Sequence, residues 1–199
     1  DGIGDNVSFL WNVWWMRRVL DHPGLSFFES DRLFAPYGFD LTLHTHAALP
    51  SLASAAIAGY GLITAENTAL LVSLTLNGWL AYLLAWDRTG DRGASLAAGV
   101  IFGGSPFVFT HLLGHFNLIA AWGLPLFLFC LLRARERGRA GWAVAAAVSA
   151  VLVAYTDYYY LLYCAMLTTG VIGWPIVPLR FAWRRSIVPR GVRRTLLIL

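Results

Sequence analysis

Asp5 stands in Gly4-Asp-Asn-Val-Ser-Phe-Leu-Trp-Asn-Val-Trp-Trp15, directly ahead of an aromatic helical repeat. A carboxylate there has two readings. It caps the helix, accepting first-turn N–H bonds, or it acts as a general base or metal ligand held on a rigid element. Asp40-Leu-Thr-Leu-His-Thr-His46 offers a carboxylate and two imidazoles within seven residues, and extended backbone would place His44 and His46 on one face. Such a pair can contribute to a metal site, although i,i+2 spacing without a third fixed ligand also suits a polar loop that merely contains histidines. His111-Leu-Leu-Gly-His-Phe-Asn117 puts two imidazoles one helical turn apart. His111 and His115 can meet lipid headgroups, or His115 and Asn117 can orient a carboxylate or phosphate. Tyr155-Thr-Asp-Tyr-Tyr-Tyr160 carries Asp157, a lone acid between apolar runs, which caps the next helix or faces a polar cavity. Tyr158 and its neighbours fit a membrane aromatic belt and are candidates for substrate contact.

The elements that position these groups belong to a membrane. Of 199 residues, 58% are hydrophobic and 13% charged, and the mean hydropathy is +0.60. Soluble domains carry roughly a quarter charged residues, so this chain has too little polar surface to cover a water-soluble core. The fold expected is all-α, a polytopic transmembrane bundle. Five segments suit spans: Glu66 to Trp86, Gly93 to Thr110, Leu118 to Arg133, Gly141 to Thr156 and Tyr159 to Val177, with a partial sixth from Thr195. Several are short for a span, and the 141–177 hairpin is expected to turn within the interface.

All fifteen basic residues are arginines, and twelve of them fall in alternate loops: Arg88 and Arg92, then Arg133 to Arg139, then Arg180 to Arg194. Cytoplasmic loops retain positive charge, so that face is expected to be cytoplasmic. The opposite face takes all five histidines and eight of the eleven acids, which places the polar chemistry outside the cytoplasm. The net charge of +4 follows the spans and forms no nucleic-acid stripe. Cys130 and Cys164 sit in apolar runs and read as small hydrophobes.

Residues 1–65 are expected to form an extracytoplasmic loop, and 66–199 the bundle, as a piece of a longer chain. Apolar residues at 7, 10, 11, 14 and 15 predict a juxtamembrane helix, with its tryptophans at the interface and Arg17 and Arg18 reaching for headgroups. Asp21-His-Pro-Gly24 stops it. Phe34 to Asp40 is turn-rich, and His44 to Tyr60, broken by Pro50, reads as a short re-entrant or surface helix. Phosphate loop, nucleophile elbow, HExxH and CxxC motifs are all missing, which removes support for nucleotide hydrolysis, serine-hydrolase and zinc-protease chemistry.

The Gly4-Asp-Asn start with its Trp-rich helix, Phe34-Ala-Pro-Tyr-Gly-Phe-Asp-Leu41, Gly99-Val-Ile-Phe-Gly-Gly-Ser-Pro-Phe107 and Gly114-His-Phe-Asn-Leu118 resemble bacterial integral-membrane glycosyltransferases of the GT-C class. The resemblance runs to about Trp174. It implies a polyprenyl-phosphate sugar donor used on the extracytoplasmic face of the cytoplasmic membrane, with an acid early in the first outer loop, the position Asp5 matches. It implies Asp5 as the catalytic residue; the candidates for substrate contact are the polar groups picked out above by type and position, Asp40, His44, His46, His111, His115, Asn117, Asp157 and Tyr158. Members with an acidic pair in the second outer loop bind a divalent cation, Mg or Mn. This chain has no acid between His111 and Asn117, so an ion would have to be held by Asp5 with His115 or Asp157. Without one, Asp5 would act directly as base. Two rival readings stand beside this: a transporter or flippase, which calls for charged, interrupted helices at the bilayer midplane and repeated halves, and a non-catalytic membrane scaffold.

Overall fold

The computed structural model describes residues 4–42, 44, 47–112 and 114–173. Its architecture is all-α, with one two-residue strand pair. Helix α1 (Gly4–Asp21) ends where His22-Pro23-Gly24 can no longer continue it. Its buried stripe is Phe9, Asn12, Val13, Met16 and Val19, the i, i+3, i+4, i+7 pattern, joined by Trp15 at 0% exposure. This corrects the expected face. Val7 and Leu20 point outward, while Trp15 lies in a core with Val19 and Leu41, its ring stacked on Trp11 at 5.9 Å. Within the helix, Arg17 pairs with Asp21 at 2.9 Å, and Arg18 lies over the Trp14 ring at 5.8 Å. The physical reason is that α1 packs against α2 and α3, so its most apolar face turns to protein.

Strands β1 (Glu29–Ser30) and β2 (Phe39–Asp40) form an antiparallel pair in the register Glu29 opposite Asp40. The connection between them requires positive φ at Phe34 and Gly38, and a Cβ on Gly38 would stand 3.1 Å from the Ser30 carbonyl oxygen. Helix α2 (Ala48–Ala56) is the short helix expected after His44. Pro50 does not break it. It lies in the first turn, where the missing N–H has no helical acceptor anyway. The free N–H of Leu49 donates instead to the Tyr155 carbonyl at 2.8 Å, tying α2 to the far hairpin.

Among the described residues, three segments are long and apolar enough to cross a membrane: α3 (Leu62–Thr89); α4 (Arg92–Gly103) with α5 (Pro106–His111); and a 3-10 turn (Phe116–Leu118) leading into α6 (Gly123–Arg137). Helix α7 (Ala140–Ala154) has 15 residues, about 22 Å at 1.5 Å per residue and short of a hydrocarbon core of about 30 Å, and α8 (Tyr158–Gly173) is described as far as Gly173. The expected sixth segment from Thr195, and the Arg180–Arg194 loop before it, lie outside the described residues.

Close approach holds the bundle. A Cβ on Gly99 would come within 2.7 Å of the Gly78 carbonyl oxygen, and one on Gly103 within 3.0 Å of the Gly78 backbone. Small residues at 95, 99 and 103 therefore let α4 lie directly on α3. Buried Asn77 donates to the Ile119 carbonyl at 2.7 Å, fixing α3 to the turn before α6. At one end of the bundle Asp87 is bound by Arg88 and Arg133, and Arg88 also binds Glu136. At the other end the His- and Asp-bearing turns meet α1.

Candidate functional site

Asp157 directly precedes α8 and performs both roles its position suggested. One oxygen accepts the Tyr159 N–H at 2.7 Å, capping the helix, while the other accepts a hydrogen bond from the Asn117 amide. Asn117 is 4% exposed, and its own carbonyl oxygen is buried with no hydrogen-bond partner. Tyr158 donates its hydroxyl to the Thr42 carbonyl at 2.9 Å, drawing the loop after β2 towards the α7–α8 turn. These groups line a cleft of ≈ 380 Å³ with His44, Thr156 and the aromatic rings of Phe28 and Tyr155. Partial burial holds the His44 imidazole below its usual pKa, favouring the neutral ring.

Asp5 and His115 meet across 110 residues of sequence. The Asp5 Oδ2 lies 3.4 Å from His115 Nε2, and both side chains are 60% exposed. Helix α1 already includes Gly4, so Asp5 occupies the first turn and is not the cap. The helix N-terminus favours its negative charge there, and the carboxylate turns towards the imidazole. Gly114 lies against the start of α1: a Cβ on it would make ordinary contact with Asp5 and Asn6, at 3.8 Å from each. His111 stands edge-on to His115, ring centroids 5.5 Å apart, with its Nδ1 2.6 Å from the Phe107 carbonyl oxygen.

Two of the expected groupings do not form as drawn. Thr42 holds the Asp40 carboxyl below the usual range, through its side-chain hydroxyl first and then its N–H, which Asp40 accepts at 2.8 Å, and Asp40 faces a second cleft beside Trp15 and Tyr37. His44 faces the first cleft, so the Asp40–His44 pairing is not made. The extended strand ends at Asp40, and the chain turns at Thr42. His46 lies outside the described residues. Among the described residues, no three His, Cys, Asp or Glu side chains converge as a metal site. Asp5 and His115 bring two possible donors together, and Asp157 is hydrogen-bonded to Asn117 and the Tyr159 N–H.

The sequence reading missed Glu66 and Thr42. Glu66 is buried at the mouth of α3 and accepts the Ser54 hydroxyl at 2.8 Å. The signal was present, since a lone acid at the start of an apolar span needs a partner or a polar cavity. Thr42 contributes through its backbone carbonyl, which residue type cannot reveal.

Neither the curated proteins nor the solved structures contain a match to the chain. Residues 67–198, which take in His111, His115, Asn117, Asp157 and Tyr158 and leave out Asp5, match the family described as Domain of unknown function (DUF6311), and the chain belongs to that family.

Proposed function

We propose that the protein is a membrane glycosyltransferase of the GT-C type, moving a sugar from a polyprenyl-phosphate donor to an acceptor hydroxyl on the extracytoplasmic face. The observation that carries this reading is the Asp5–His115 pair, a carboxylate and an imidazole held 3.4 Å apart on separate elements at the end of the bundle that bears the polar cleft. In this scheme the Asp5 carboxylate takes the proton of the acceptor hydroxyl as its oxygen bonds to the anomeric carbon. The carbon–oxygen bond to the donor phosphate breaks, and the phosphate leaves with the electron pair. His115 donates a hydrogen bond to that departing oxygen, and the Tyr158 end of the cleft holds the sugar.

Orientation follows from charge. The end carrying Arg88, Arg92 and Arg133 to Arg139 faces the cytoplasm, and the histidine end faces outward, where lipid-borne donors replace nucleotide sugars. No step is assigned to a metal ion.

The test is transfer of labelled sugar from a polyprenyl-phosphate donor pool by the protein in membranes, wild type beside Asp5→Asn. Asn keeps the size and loses the base, so transfer is expected to fall by about 10²–10⁴-fold with the fold unchanged. Wild-type rates in Asp5→Asn would remove Asp5 from the mechanism.

A further inference from the structure

Glu66, near the start of α3, is 6% exposed, and the scheme above makes no use of it. Its partner is the Ser54 hydroxyl at 2.8 Å, a neutral group, and among the described residues no arginine or histidine pairs with it. A carboxylate buried without a countercharge is among the costliest groups a protein can hold. Glu66 lines a small cavity of ≈ 10 Å³ between α1, α2, α3 and the turn before α6, together with Ser51, Ser73, Asn117 and the rings of Phe9 and Phe116. That is room for about one particle the size of a water molecule. Asn117 lines both this cavity and the polar cleft. Its amide N–H goes to Asp157 on the cleft side, which leaves the carbonyl edge for the cavity, and that oxygen is buried with no hydrogen-bond partner.

Two buried oxygen-bearing groups therefore border one small space, and both call for a positive neighbour. A water molecule would satisfy the amide oxygen and leave the carboxylate without a countercharge, whereas a cation answers both. Carboxylate, amide and hydroxyl oxygens suit a hard cation. One carboxylate balances one charge, and a divalent ion would leave net positive charge buried, so the ion is monovalent. A space this small favours Na⁺ over the larger K⁺. We infer that Glu66 and Asn117 form a sodium-ion site between α1, α2, α3 and the turn before α6. An ion on the Asn117 carbonyl oxygen polarises the same amide and strengthens its N–H bond to Asp157, which links occupancy of the site to one wall of the polar cleft. The site stands whether or not the protein transfers a sugar.

The test uses the full chain in bilayer nanodiscs, with binding of radiolabelled Na⁺ measured beside the Tm from tryptophan fluorescence in NaCl, KCl and choline chloride at equal ionic strength. Saturable binding of one Na⁺ per chain is expected, displaced by unlabelled Na⁺ and not by the same concentration of K⁺. NaCl should raise the Tm above its value in choline chloride by about 5–11 °C once Na⁺ exceeds its half-saturating concentration roughly 100-fold. Glu66→Gln keeps the shape and removes the charge, so it should abolish both the binding and the NaCl shift. In choline chloride the same variant should melt at or above the wild-type temperature, because it no longer buries an unbalanced carboxylate, and this separates loss of the site from misfolding. Equal Tm values in NaCl and choline chloride, an equal shift in KCl, or a NaCl shift that persists in Glu66→Gln would overturn the inference. So would stabilisation by acid in place of Na⁺, which would show Glu66 neutralised by a proton.

Discussion

The hydrogen bond from Asn117 to Asp157 joins the turn before α6 to the cap of α8, and one wall of the polar cleft depends on it. Replacing Asn117, itself 4% exposed, by alanine removes a donor to the half-buried Asp157 carboxylate. Hydrogen bonds to charged groups contribute about 1.5–3 kcal/mol, more than neutral ones. Asp157 keeps its bond from the Tyr159 N–H in the variant, so the helix cap survives and the loss is confined to the tertiary link. The clean measure is a double-mutant cycle of Asn117→Ala, Asp157→Ala and the pair, by equilibrium unfolding in mixed micelles. A coupling energy of about 1.5–3 kcal/mol is expected, equivalent to roughly a 10- to 150-fold change in the unfolding constant. Asp157→Asn should recover most of the cap and little of the coupling. Independent, additive effects within about 0.5 kcal/mol would refute the inference that these two side chains act as a unit.

Gly99→Leu should separate α3 from α4, because even its Cβ would meet the Gly78 carbonyl oxygen at 2.7 Å, and backbone cannot swing aside. A loss of about 1–3 kcal/mol is expected in the same assay, and a neutral result would mean the two helices are not in that contact. The lowered pKa of His44 sets a pH dependence whose sign is fixed: the folded protein binds the imidazole proton less readily than the unfolded chain does, so this contribution is complete above the ordinary histidine pKa of 6.5 and is lost as pH falls below it. His44→Gln should flatten that acid-side slope, and an unchanged slope would assign it elsewhere. For the orientation, a cysteine placed at His115 should react with an impermeant thiol reagent from outside the cell, and one at Arg137 only from within; the reverse pattern would invert the proposed placement of the site.

Several features were legible in the chain alone because each residue carries them individually. Hydropathy sums over neighbours, so the helical segments from Glu66 onward could be laid out without knowing what they touch, and the helices fall within a few residues of those limits. Charge sorts the same way: twelve of the fifteen arginines gather at one set of turns and the histidines with eight of the eleven acids at the other, and the Asp87–Arg88–Arg133–Glu136 cluster joins two of the arginine-bearing turns in space. Residue type also singled out Asp157, His115 and Asn117, since polar groups beside apolar spans demand partners.

The identity of those partners was not in the one-dimensional pattern. Helix α1 has apolar residues on more than one face, and only its burial against α2 and α3 decided that Trp15 belongs to the core while Val7 faces outward. Asp40 and His44 are four residues apart and serve different clefts, whereas Asp5 and His115 are 110 apart and touch. Spacing predicts neighbours only while the backbone keeps one regular geometry, and the turn at Thr42 ends that regularity. Gly99 read as a motif residue until the Gly78 carbonyl showed why no larger side chain fits. Local sequence determined which groups need partners and at which end of the bundle they lie. The choice of partner was made by tertiary packing, because contact between distant segments depends on the relative placement of whole helices, a quantity no single segment encodes.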